Sequence, residues 1–252
     1  MASFIPAFRI PGLPGKPMDL CMPIACNHLT YKYPGTDVTV FDQLSCEFPD
    51  TGFHALFGHS GVGKTTLARI FSGDIQTGSE PLPLVWEKTV LYTHNMERIP
   101  GWAPVGEMIE SVTPEESRKD MEELLAAFGL NPVLESRFDH LSLGQKNRAN
   151  LARYLLQKFD VLIMDESLAN VDETTREKII GIMKTRFPEK CFLYISHNMM
   201  EVSRYSRQII ILRGTHRRPQ VVSLRGMDDR HPERGPRTRD LEKIMLEIVH
   251  AS

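Results

Sequence analysis

Nowhere in the 252 residues does an uninterrupted apolar run approach the roughly 18 residues that a membrane-spanning helix needs, so the chain offers no candidate span. Charge of one sign is not in excess either. The 30 Lys and Arg against 32 Asp and Glu leave a formal charge of −2, which removes the whole-molecule electrostatic argument for nucleic acid, and no such partner is expected. Cysteine is sparse: Cys21, Cys26, Cys46 and Cys191 match no zinc spacing, nothing marks an oxidising compartment, and the four read as reduced thiols. There are no internal repeats. The opening MASFIPAFRIPGLPGKPMDL is cut by Pro6, Pro11, Pro14 and Pro17, which break the helix that a signal peptide's apolar stretch requires. Residues 1–22 therefore read as a Pro-rich arm on a cytoplasmic protein. The length suits one domain or two closely joined subdomains and leaves no room for a further catalytic module.

What is present begins with β-rich stretches in PIACNHLTYKYPGTDVTVFDQLSCEF, parted by the turn Pro34-Gly35, which suggest an antiparallel layer. From HALFGHSGVGKTTLARIFSG onward the pattern changes. Short apolar strands, at 53–57, near 89–93, and in DVLIMD, CFLYIS and RQIIIL, alternate with helical segments, including one from residue 64. This is the pattern of a buried, mostly parallel sheet in an α/β domain. Between Thr93 and Asp160 the chain is largely helical, and in TPEESRKDMEELLAAFGL Thr113 is expected to be an N-cap and Gly129 a helix stop. The organisation predicted is an α/β core of residues 23–94 and 160–225, a helical subdomain at 95–159, and an Arg-rich tail with a terminal helix at 226–252. The tail also carries Asp228, Asp229 and Glu233, and reads equally as a solvated mixed-charge loop or as a docking surface.

GHSGVGKTT fits the phosphate-binding pattern G-x-x-x-x-G-K-[ST], with Gly58, Gly63, Lys64 and Thr65 in the fixed places. The glycines let successive backbone N–H groups curl around phosphate oxygens, and the helix that follows adds its positive end. Lys64 can reach the β and γ phosphates, and the Thr65 hydroxyl suits Mg²⁺. An apolar strand before the loop and a helix after it are the context that this mechanism needs.

VLIMDES places Asp165 and Glu166 at the C-terminal end of a strand, the edge at which an open α/β sheet binds its ligands. Asp165 suits the Mg²⁺ shell, and Glu166 suits orienting or deprotonating a water. His197 follows the next strand, CFLYIS, at the same edge, where it can hydrogen-bond a γ-phosphate or the attacking water.

Taken in order, these motifs resemble the nucleotide-binding subunit of the ATP-binding cassette (ABC) ATPases, from about Ile24 to the C-terminus. GHSGVGKTT is similar to the family's Walker A motif, VLIMDE to its Walker B motif, and LSLGQ to its signature. The resemblance implies a P-loop NTPase of ABC type: a mostly parallel core sheet, an N-terminal antiparallel β layer and an inserted helical subdomain. It implies ATP and Mg²⁺ as ligands. Nucleotide would be held by Tyr33 (stacking on adenine), Gly58, Ser60, Gly61, Gly63, Lys64, Thr65 and Thr66, with Thr65, Asp165 and Asn95 as the metal set and Glu166, His197 and Asn95 as the catalytic set. Ser142, Gly144 and Gln145 of the signature would act in trans across a head-to-tail dimer, and Asp172 would end the D-loop.

The departures are specific. Leu143 replaces a signature glycine, which is tolerable if its side chain points away from the nucleotide. Asn95 stands where the Q-loop has glutamine, one methylene shorter with the same amide chemistry, and Ser167 stands where proline commonly follows the acid pair. ERIPGWAPVGEMI, containing Trp102, and the Arg- and Pro-rich ending are similar to ATPases of nitrate, sulfonate and taurine importers. That resemblance implies a homodimer or a pair with a sister ATPase, peripheral at the cytoplasmic face of a membrane beneath two permease subunits and fed by a substrate-binding protein. The alternatives are a soluble ABC ATPase of macromolecular assembly or repair, and a weakly hydrolysing regulatory subunit.

Overall fold

The computed structural model describes residues 24–49, 51–77, 88–97, 99, 101–229 and 238–252. The N-terminal arm with Cys21, and residues 230–237 of the tail, lie outside the described residues. Two strands of alternating burial, β1 (Ile24–Lys32) and β2 (Thr39–Phe48), pair antiparallel on either side of the turn at Pro34-Gly35. Period-two alternation sends Ile24 and Cys26 of β1 and Leu44, Cys46 and Phe48 of β2 inward, a break in the alternation at Gln43, φ +54, brings Phe41 to the same side, and these residues close one face of a larger sheet.

That sheet is built from β3 (Gly52–Phe57), β4 (Val90–His94), β5 (Val161–Asp165), β6 (Cys191–Ile195), β7 (Gln208–Leu212) and β8 (Val221–Arg225) in the order β4-β5-β6-β3-β7-β8. All neighbours run parallel except β7 and β8, which are antiparallel. Strands buried on both faces need apolar residues throughout, which is why VLIMD and CFLYI show no polar alternation. Helix α1 (Lys64–Phe71) packs with β1 and β2 on one face. The other face receives α4 (Leu143–Leu155), α5 (Glu173–Arg186), α6 (Met199–Tyr205) and, further out, α2 (Val105–Val112), α3 (Arg118–Ala127) and α7 (Thr238–Ala251). Among the described residues no helix is long and apolar enough to cross a membrane.

The expected mostly parallel sheet with an antiparallel β layer is the observed one. One local expectation is corrected. Thr113 is the C-cap of α2, donating its hydroxyl to the Ile109 carbonyl at 2.7 Å, and α3 starts only at Arg118 after a 3₁₀ turn over Glu115–Ser117. Pro114 is why: the residue before a proline is pushed to extended backbone, so Thr113 ends one helix instead of opening the next. Gly129 does stop α3, at φ +62.

The sheet also sets the site. His94, Asp165, Ile195, Leu56 and Ile210 are successive register partners across β4, β5, β6, β3 and β7. The chain leaves β3, β4, β5 and β6 at one edge and within a residue or two of that row.

Candidate nucleotide site

β3 runs out at Phe57 into the loop 58–63. Gly58, Gly61 and Gly63 all have positive φ, at +153°, +82° and +105°. Gly63 is constrained twice, because a Cβ there would also lie 2.7 Å from Val40 Cγ1 and 2.9 Å from the Phe41 ring. The β1–β2 layer thus presses on the loop and fixes its curl. As N-cap of α1, Gly63 brings no side chain to the first N–H groups of the helix, which remain available to an anion.

Lys64 is buried and folds back over the loop, its Nζ donating to the Gly58 carbonyl at 2.7 Å and the His59 carbonyl at 2.8 Å. Burial lowers its pKa, while Asp165 and then Glu166 pull it back up. Thr65 Oγ1 donates to Asp165 Oδ2 at 2.6 Å, so the loop and the end of β5 are joined through the two oxygen donors expected of a hard cation. Tyr33 is 42% exposed, packs edge-on against Tyr31 at 5.3 Å, and its hydroxyl lies 2.5 Å from Thr66 Oγ1. That leaves an open aromatic ring beside the phosphate loop.

Glu166 sits at φ +53, a left-handed conformation that a glutamate holds only when its surroundings fix it. Here its N–H donates to the Ile195 carbonyl at 3.0 Å and its carbonyl accepts from Ala169 at 3.0 Å. The turn aims the carboxylate at His197, with Oε1 and Nε2 2.5 Å apart. Thr65, Asp165, Glu166 and Asn95 line one open cleft of about 790 Å³.

Asn95 leaves β4 with its N–H on the Asp165 carbonyl at 2.9 Å. Its Oδ1 accepts from both Asn147 Nδ2 and Asn170 Nδ2, each at 3.0 Å. An amide oxygen has two lone pairs, so the residue after β4 is tied at once to α4 and to the loop before α5. Helix α4 opens with a capping box, the Gln145 N–H donating to Ser142 Oγ at 3.3 Å and the Ser142 N–H to Gln145 Oε1 at 2.9 Å. Leu143 is 48% exposed, and a Cβ at Gly144 would lie 2.5 Å from the Asn170 carbonyl oxygen, so only glycine lets this turn pack on that loop. Asp172 caps α5 by accepting from the Thr175 N–H at 2.9 Å, which lowers its pKa.

The family model for ABC transporters matches residues 41–169, just over half of the chain. The chain belongs to the ABC transporter family. Among its relatives, the molybdenum import ATP-binding protein ModC of Pseudomonas fluorescens is 28% identical over 191 residues, 68% of this chain and 53% of that protein. The mesentericin-Y105 transport/processing ATP-binding protein MesD of Leuconostoc mesenteroides is 30% identical over 225 residues, 77% of this chain and 30% of that protein. The chain thus spans about half or less of the length of these relatives. A solved structure described as an inward-facing conformation of a metal-chelate type ABC transporter superposes with a TM-score of 0.66 at 14% identity, covering 81% of this chain and 84% of that one, a likeness of fold.

Within this ABC chain several polar residues around the site were not singled out from sequence. Glu97 accepts from Arg153 at 2.7 Å and Tyr154 at 2.8 Å, fastening the loop after β4 to the far end of α4. Glu201 accepts from Arg176, from Asn198 Nδ2 at 2.9 Å, from Tyr194 at 2.6 Å and from Ser196 at 3.1 Å, while Arg176 also donates to the Val171 carbonyl. This network joins the loop before α5 to the residues flanking His197. Asn198 followed three residues later by Glu201 is an N-terminal capping signal legible in the sequence. Asn147 and Asn170 carry no such signal, because their meeting depends on how three separate segments pack.

Proposed function

We propose that this chain is the nucleotide-binding subunit of an ABC transporter and hydrolyses ATP to drive permease subunits through a cycle. The observation that carries the reading is the meeting of the phosphate loop, Asp165, Glu166 and His197 along one sheet edge. The residues fit the ligands: a loop curled by three positive-φ glycines, uncapped N–H groups at α1, and an all-oxygen pair for Mg²⁺.

In this reading Lys64 exchanges the Gly58 and His59 carbonyls for phosphate oxygens, and the N–H groups of the loop with Ser60, Gly61 and Thr66 complete the cradle. Tyr33 supplies a stacking face for adenine. Thr65 and Asp165 hold Mg²⁺, which when bound neutralises phosphate charge at the reacting centre. Asn95 would enter that shell through the oxygen that now accepts from Asn147 and Asn170, so coordination there would compete with the ties to α4 and to the loop before α5. Glu166 accepts a proton from, or orients, the attacking water, and His197, already paired with it, holds it and reaches the γ-phosphate.

Ser142 serves in trans: its Oγ accepts from the Gln145 N–H within the capping box while its O–H is left to donate, beside the Gly144 N–H, and Gln145 contributes by holding that turn. The exposed Leu143 side chain is compatible with contact through backbone. Asp172 lies where the second subunit would meet the first. Residues 23–94 and 160–225 act as the ATP-binding core, 95–159 as the helical subdomain that transmits closure, and the chain works at the cytoplasmic face of a membrane. The likeness of ERIPGWAPVGEMI, with its exposed Trp102, supports an importer of small molecules of the nitrate, sulfonate and taurine class, and molybdenum import relatives support import in general.

The test is phosphate release by the purified chain with ATP and Mg²⁺. Glu166→Gln is expected to lower it by about 100-fold or more while ATP still binds. Wild-type chain that binds no ATP would overturn the reading.

A further inference from the structure

Tyr92 has no part in the site as read from the sequence, yet it touches its centre. It lies two residues before His94, the register partner of Asp165, so the two aromatic side chains share a face of β4, their rings 5.7 Å apart. The Tyr92 ring packs against the cluster formed by α1 and the β1–β2 layer, which fixes it from the body of the protein. From there its hydroxyl donates to Asp165 Oδ2 at 3.1 Å, the same oxygen that accepts from Thr65 at 2.6 Å. Among the described residues nothing hydrogen-bonds Asp165 Oδ1.

We propose that Tyr92 is a positioning residue for the divalent-cation site: by holding Asp165 Oδ2 it fixes the carboxylate so that Oδ1 is presented to the metal. The inference rests on the nucleotide-site reading above. A carboxylate held by one donor on an adjacent helix can swing about its side-chain torsions, whereas two donors on the same oxygen from different elements, α1 and β4, restrict that swing. Groups that orient a metal ligand in this way typically govern about 10- to 100-fold of metal affinity. The phenol is neutral and aromatic, which gives it no place of its own in a hard-cation shell.

The experiment is Mn²⁺ titration of the full chain with ATP, followed by electron paramagnetic resonance, for wild type and Tyr92→Phe. Phenylalanine keeps the ring and its packing and removes only the hydroxyl. The result expected is Mn²⁺ affinity about 10-fold weaker or more, with metal-free ATP affinity and the melting temperature of the nucleotide-free chain unchanged. A purely structural role would move the last two and not the first. Mn²⁺ affinity within about twofold of wild type, or tighter, overturns the proposal. Wild-type chain that binds neither ATP nor Mn²⁺ instead overturns the nucleotide-site reading beneath it, and the wild-type titration alone reveals that.

Discussion

Glu201→Ala removes the acceptor at the centre of the polar network beside His197. The Arg176 and Glu201 side chains are only 15% and 10% exposed, and the glutamate is the shared acceptor for Arg176, Tyr194, Ser196 and Asn198. Truncation strands a nearly buried guanidinium whose Nε already lacks a partner among the described residues, and removes the acceptor of a buried tyrosine hydroxyl. Breaking a buried pair by deleting one member costs about 3–5 kcal/mol, since the desolvation cost of the remaining charge is no longer offset. At about 2–4 °C per kcal/mol for a chain of this size, the melting temperature should fall by about 6–20 °C. Glu201→Gln keeps the volume and one acceptor, and should lose about half as much. The assay is thermal unfolding without nucleotide, with phosphate release measured alongside, because Ser196 and Asn198 flank His197. A Glu201→Ala chain melting within about 2 °C of wild type would refute the argument that this network binds β6, α5 and α6 together.

Gly63→Ala and Gly61→Ala form a matched pair. Both sites have positive φ, but only at Gly63 would the Cβ strike Val40 and Phe41, so Gly63→Ala should abolish binding of a fluorescent ATP analogue while Gly61→Ala keeps part of it. His54 supplies a pH dependence. It is fully buried, Nε2 lies 2.8 Å from the Thr51 carbonyl, Nδ1 has no partner among the described residues, and burial lowers its pKa below the unfolded value of 6.5. The unfolded chain therefore binds the extra proton, so His54's contribution is whole above about pH 6.5 and is lost as pH falls toward its folded pKa. Melting temperatures measured from pH 7.5 to pH 5 should decline more steeply for wild type than for His54→Phe, and parallel curves would contradict the assignment.

The sequence carried the parts of the site that a single segment encodes. GHSGVGKTT names its own geometry because the glycine spacing, the strand before it and the helix after it are contiguous. Asp165, Glu166 and His197 were legible because each follows an apolar run, and parallel strands deliver such positions to one edge. What was not legible depends on contacts between segments. Tyr92 touches Asp165 only because β4 lies beside β5, and Asn95 meets Asn147 and Asn170 only because α4 and the loop before α5 converge on the end of β4. The misplaced cap at Thr113 has a different cause: its hydroxyl suits either end of a helix, and Pro114 decided which.

The central claim is that this is a working nucleotide half-site completed by a second copy or a sister subunit, with Leu143 no obstacle. The most direct test is sedimentation velocity of the Glu166→Gln chain, which should bind ATP without turning it over. With saturating ATP and Mg²⁺ the boundary should shift from monomer to dimer, and it should return to monomer with ADP or on adding Ser142→Arg. A chain that binds ATP yet sediments only as monomer would contradict self-completion of the site, and a chain that binds no ATP would contradict the site itself.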